Sequence, residues 1–200
     1  MQLESVNPSV VRSIRQRDLL QAWIRLFAAR GGEPPRFDDY NPDQLDEELP
    51  ELMYYDVDHQ GSAPRFKIAH EGRRFRDVFG VTGVGQYLDQ IEGFTLTEAT
   101  HNLYREACLR RLPAYSSALV EDRDGRPVTW ERLLLPFCED GRVTVLMASL
   151  KPVSTEGRFE SRDLMANNHA ERRYQVYAII DQGLTAGRTT RRGGPDEEIV

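Results

Sequence analysis

Cysteine is scarce in this chain: Cys108 and Cys138 are the only two in 200 residues. Two thiols make neither a disulfide framework nor a zinc site, so a reduced, cytoplasmic protein is expected. Long apolar runs are missing as well. No stretch approaches the roughly 20 apolar residues of a membrane-spanning helix. The opening Met-Gln-Leu-Glu-Ser-Val-Asn-Pro has no basic region followed by an apolar core, so no secretory signal is read there. Positive charge is not in excess either. Twenty-six Lys and Arg face 32 Asp and Glu, a formal charge of −6, which argues against nucleic acid or an anionic membrane as the main partner. The catalytic signatures are also missing: there is no Gly-x-Ser-x-Gly, no His-x-x-x-His, no Walker loop and no Cys/His pair at recognisable spacing. No internal repeat is present. What remains, with 40% apolar and 29% charged residues, is the composition of an ordinary globular protein.

The most informative stretch is Tyr115 to Lys151. Asp124-Gly125 and Asp140-Gly141 mark tight hairpin turns, because Asp-Gly provides the positive-φ backbone such turns require. They divide the stretch into strands expected at Ser116–Val120, Val128–Phe137 and Arg142–Leu150, with Lys151-Pro152 ending the sheet. A three-stranded sheet is not stable by itself, and one face has to be covered by helices.

The preceding residues can provide that cover. Asn7-Pro8 reads as a helix start, and the helix is expected to run to Arg30 before Gly31-Gly32. Leu20, Trp23, Ile24 and Phe27 form a stripe along it. That stripe either covers the domain's own sheet or makes a dimer contact. After Pro34-Pro35 an acidic segment, Asp38 to Pro50, reads as a short helix begun at Asn41-Pro42, stopped at Pro50 and carrying a solvated charged face. Leu52–Asp58 and Arg65–His70 alternate as strands around a turn at His59–Pro64, and Arg73–Phe79 reads as a short helix with Phe75, Val78 and Phe79 turned inward. Gly80-Val81-Thr82-Gly83-Val84-Gly85 has the look of a phosphate loop, but it lacks the Gly-Lys-Ser/Thr ending. Positive-φ turn glycines are the better reading. Thr95-Leu96-Thr97-Glu98 has the form of a capping box with Thr95 as N-cap. The helix it opens, to Leu112, carries Leu96, Ala99, Leu103 and Ala107 in one row beside Tyr104, Cys108 and Leu112, with His101 off the stripe. Within residues 161–183, Gln175–Ile180 reads as either a strand or the buried end of a helix, since periodicity does not separate short apolar runs. Helix is favoured, with Gly183 as its stop, and the polar tail 184–200 reads as disordered. The division expected is an N-terminal helix (1–34), a central domain (35–151), a helical C-terminal extension (152–183) and the tail.

The order strand, strand, short helices, long helix, three antiparallel strands is that of a PAS domain. The likeness is sharper in Trp130-Glu131-Arg132-Leu133-Leu134-Leu135-Pro136-Phe137, which resembles the aromatic-Glu-Arg-Leu-Leu-Leu-Pro strand of a PAS-like family common in alphaproteobacteria. Leu49-Pro50, the strand ending Asp56-Val57, Phe66, and Gly80 through Gly85-Gln86-Tyr87-Leu88 match the same pattern in outline. The likeness covers roughly Leu20 to Leu150. It implies an α+β fold with a five-stranded antiparallel sheet covered by helices, flanked by helical extensions. The function it implies is a sensory or protein-interaction module, usually without catalytic residues.

The residues themselves argue against the usual PAS cofactors. Cys108 sits in Glu-Ala-Cys-Leu-Arg-Arg, unlike a flavin photosensor's Asn-Cys-Arg-Phe-Leu-Gln, and the off-stripe phase of His101 disfavours haem ligation. A small-molecule pocket between the long helix and the sheet would involve Tyr104, Cys108, Arg132 and Met147. Arg132 either pairs with a carboxylate, for which Glu106, Asp56 and Asp58 are candidates, or binds an anionic ligand. The expected function is a non-catalytic cytoplasmic regulator, acting through a protein partner or a homodimer and gated by a small ligand. With no output domain in view, any signal would leave by contact. The competing reading is an enzyme of the isomerase or dehydratase type on a cone-shaped α+β fold, which would need a carboxylate or histidine aimed into the same space.

Overall fold

Strand β5 (Pro127–Glu139) is buried on both faces: Leu133, Leu135 and Phe137 point one way, Leu134 and Arg132 the other, and all five are buried. A strand of this kind has to be covered on both sides. Helix α1 (Ile14–Ala29) lies on the first face, and a second long helix, Glu98–Arg110, lies on the other. The computed structural model describes residues 3–41, 45–79, 82–91, 97–121, 124–154 and 173–181.

The sheet contains β1 (Glu4–Val6), β2 (Leu52–Asp58), β3 (Arg65–Glu71), β4 (Ala114–Glu121), β5, β6 (Arg142–Ser154) and β7 (Arg173–Ile180). Their order is β1-β7-β4-β5-β6-β2-β3. β1 runs parallel to β7, and every other neighbouring pair is antiparallel. The fold is therefore α+β with a mixed seven-stranded sheet, not the five-stranded antiparallel sheet expected. The two additional strands are the ones that composition hid. β1 is only three residues long. β7 replaces the helix expected over 161–183, because Tyr177 and Ile179 pack on one face while Val176 and Ile180 pack on the other. Two-sided burial turns a period-two pattern into an unbroken apolar run, which cannot be told from a buried helix. Residues 155–172 and 182–183 lie outside those described.

Other boundaries move for local reasons. Asn7-Pro8 opens only a 3-10 turn, Pro8–Val10. Helix α1 starts later, where the Ser13 side chain caps the amide of Gln16. Pro50 does not stop the acidic helix α2 (Leu45–Glu48) but lies inside a following 3-10 turn, Leu49–Glu51. Strand β6 continues through Pro152, opposite Trp130, to Ser154. Past Ser149 β6 has no β2 beside it, and a residue without an N–H is tolerated along such an open side. The hairpin turns stand as expected: Gly125 and Gly141 both have φ of 77°, and Asp140 has φ of 49°. The helix Arg73–Phe79, α3, has the expected bounds and Phe75 is buried. The side chains of Val78 and Phe79 are outside those described.

The acidic face is not wholly solvated. Glu48 and Glu51 are buried, and both carboxylates pair with Lys151 of β6. Glu48 also accepts from Arg15 of α1 at 2.8 Å, and Glu51 pairs with Arg74 of α3. Buried carboxylates need such partners, and these tie three helical segments to one sheet end.

Candidate functional site

Residues that stand opposite one another in register share a face. The row Tyr177, Ser116, Arg132, Leu150 therefore runs across β7, β4, β5 and β6 beneath the helix Glu98–Arg110, here α4. The C-terminal half of α4 meets the sheet through Leu103, Ala107 and Cys108, all buried among apolar neighbours. Its N-terminal half is held differently. The Tyr174 hydroxyl lies 3.3 Å from the Thr97 hydroxyl and 3.2 Å from that of Thr100. The Tyr177 hydroxyl donates to the Ala99 carbonyl and accepts from Asn102, each at 3.0 Å. α4 is capped by Thr97, which accepts from the Thr100 amide at 3.2 Å, and not by Thr95, which lies outside the described residues with Leu96.

Arg132 sits under this polar half. It is 6% exposed, its Nη1 donates to the Thr100 hydroxyl at 3.4 Å, and its guanidinium carbon lies 5.7 Å from the centre of the Tyr104 ring. Its Nε has no hydrogen-bond partner. Among the described residues no carboxylate forms an ion pair with it. Of the partners considered from sequence, Glu106 pairs with Arg110 at 2.9 Å, Asp58 accepts from Tyr87 at 2.7 Å, and Asp56 is exposed. Tyr55 is 3.5 Å from the Tyr104 hydroxyl, and burial holds its own hydroxyl far from ionisation, with Tyr104 acting the same way and Arg132 opposing them. Phe66 closes this aromatic cluster edge-on to Tyr55 and Tyr104.

Of the residues expected in a pocket, Tyr104, Cys108 and Arg132 lie on the α4 face. Met147 does not. It stands opposite Tyr54 and Leu135 and packs with the α1 core on the other side of the sheet, because its position in β6 fixes its parity. The interaction stripe is also corrected. Leu20, Trp23 and Phe27 are buried against the chain's own sheet and Ile24 is half-buried there, so they are not free for a second copy. His101 is half-buried and packs edge-on to Phe66. The glycine loop is held by protein: the carboxylate of Glu71 accepts from the Gly83 amide at 3.0 Å and the Thr82 hydroxyl at 3.3 Å; Gly85 has the expected positive φ, 87°, and Gly83 does not. Gly80 and Val81 lie outside the described residues.

No family model, no curated protein and no solved structure matches this chain. The site is therefore defined by its own chemistry: one buried cation, a ring of hydroxyls and an aromatic wall.

Sequence reasoning missed Thr100, Tyr174 and Tyr177. Tyr174 and Tyr177 are three apart, which reads as helical spacing. The register shift between Ser117 and Ala118 skips Gln175, and so both tyrosines turn toward α4. Glu131, beside Arg132, points to the other face. There burial raises its pKa, while the Tyr115 hydroxyl, Arg12 and the Ser13 amide pull it back. The Glu-Arg pair of the strand motif thus serves two different layers.

Proposed function

We propose that this chain is a non-catalytic regulatory module of PAS type that accepts a small ligand between α4 and the sheet and passes the response on by contact, to a protein partner or to a second copy. The observation that carries this reading is the contrast along α4. One half is fixed by apolar packing, while the other rests on hydroxyl bonds over a buried arginine. Directional, exchangeable contacts let that half shift when a ligand adds its own contacts, and a ligand moves an equilibrium only by such a difference.

The PAS likeness gains support from the strands between Leu52 and Ser154. They are all antiparallel, follow the chain order of that family and carry α4 across them. The non-catalytic reading is supported by the state of the nearest acid–base groups: Glu71 is engaged by the Thr82–Gly83 loop, and His101 packs on Phe66. With the α1 stripe covered, the contact surface for a partner has to lie elsewhere.

The test is a thermal-shift screen of small polar metabolites, followed by hydrogen exchange and light scattering with any stabiliser found. The expected result is slowed exchange in residues 97–110 together with a change in association state or partner capture. Turnover of the stabilising compound, or a strict monomer that exchanges identically with and without it, overturns the reading.

A further inference from the structure

We infer that the ligand is a small monocarboxylate, gripped side-on by Arg132; this rests on the regulatory reading above and names the chemistry of the same site. Three observations converge on it. First, the guanidinium is buried, and no carboxylate of the described residues neutralises it. A buried charge without an opposite charge beside it is unfavourable, so the guanidinium here calls for a counter-charge. Second, the guanidinium is already oriented. Thr100, itself 1% exposed, takes Nη1, and the Tyr104 ring lies beneath the group. That leaves the Nε–Nη2 edge, whose Nε is unpartnered. Two parallel N–H groups on one edge are the fork that meets both oxygens of a planar anion.

Third, the charge count selects among anions. A single arginine balances one negative charge. Phosphate averages about 1.5 negative charges at neutral pH, and its dianion would leave one charge uncompensated among Tyr104, Leu150 and Tyr177. A carboxylate leaves none, and an apolar body on it would meet the aromatic wall. The Thr100 hydroxyl bonded to Arg132 is the same one bonded to Tyr174 of β7. Drawing the guanidinium toward an anion therefore loads the contact that holds the N-terminal half of α4.

The experiment follows the side-chain Nε–H resonance of Arg132 in the full chain during titration with acetate, benzoate, benzamide and inorganic phosphate. Each is taken to roughly 50 mM, where a ligand of millimolar affinity is saturating. Acetate or benzoate is expected to shift that resonance saturably and benzamide is not. R132K keeps the charge but loses the fork, and is expected to weaken binding roughly 10- to 100-fold, the worth of a charge-assisted pair. R132M is expected to abolish binding while leaving the ligand-free protein at least as thermostable as the parent, because it removes a buried charge that no carboxylate among the described residues neutralises. A drop in thermostability in R132M together with an unmoved Nε–H signal overturns the proposal and makes Arg132 a structural residue. Equal binding of benzamide or preference for phosphate overturns the monocarboxylate class, and undiminished carboxylate binding by R132K overturns the side-on grip. In each of these cases a stabiliser from the metabolite screen that still protects residues 97–110 leaves the regulatory module standing.

Discussion

Replacing Trp23 tests whether α1 covers this chain's own sheet. Trp23 is wholly buried, its ring stacks on Phe27 at 5.0 Å and 18°, and its indole Nε1 donates to the Pro136 carbonyl at 2.8 Å. Pro136 lies inside β5, next to the register shift between Phe137 and Cys138, so the indole satisfies a buried carbonyl where the ladder is irregular. W23F keeps a stacking ring but leaves that carbonyl unpaired, at a cost of about 1–3 kcal/mol. W23A adds the cavity, for a total of about 3–5 kcal/mol. Total stability for a domain is about 5–15 kcal/mol, so W23A removes a large share of it. Urea unfolding with linear extrapolation reads both values. Trp130, the chain's other tryptophan, remains as the fluorescent reporter. A W23A loss below about 1 kcal/mol would mean that α1 is not packed on the sheet. An unfolding midpoint that rises with protein concentration would mean that it packs on another chain's sheet.

Gly72→Ala would place a Cβ 2.4 Å from the Pro50 carbonyl oxygen, and that neighbour is backbone that cannot swing away. It should cost at least about 1–3 kcal/mol by denaturant unfolding, whereas Gly61→Ala, whose nearest neighbour is 3.7 Å away, should cost little; equal effects would refute the close approach. Burial holds the Glu131 carboxyl above the ordinary carboxylate range, so the folded state binds its proton more tightly than the unfolded one. Stability from this group therefore falls as pH rises from the unfolded value through the raised one, and E131Q should exceed the parent at pH 7 by a margin that shrinks toward pH 4; a margin independent of pH would refute it. Burial pushes the Cys138 thiol up to about 11 and Cys108 further, so both should resist Ellman's reagent at pH 8 until urea is added. Rapid labelling of either in the folded protein would contradict the packing around it.

Several features were legible in the sequence because their causes are local. The Asp-Gly turns at 124 and 140 depend on backbone conformation, and both glycines take the positive φ expected. The strand Leu52–Asp58 and helix Arg73–Phe79 follow from periodicity within a few residues, and they have the expected bounds. The buried row of α4, Leu103, Tyr104, Ala107 and Cys108, follows from helical geometry alone. What the sequence could not decide is which surfaces meet. Residue type placed Met147 in a pocket, but strand parity puts it on the far face. Two-sided burial makes the seventh strand, β7, look helical, and its parallel partner β1 is only three residues long and separated from it by most of the chain. Arg132 was visible as an anomaly in an apolar strand. Only the tertiary arrangement shows that it lies beneath Thr100 and Tyr104 with no carboxylate beside it among the described residues, because electrostatic partnership is a property of space and not of spacing.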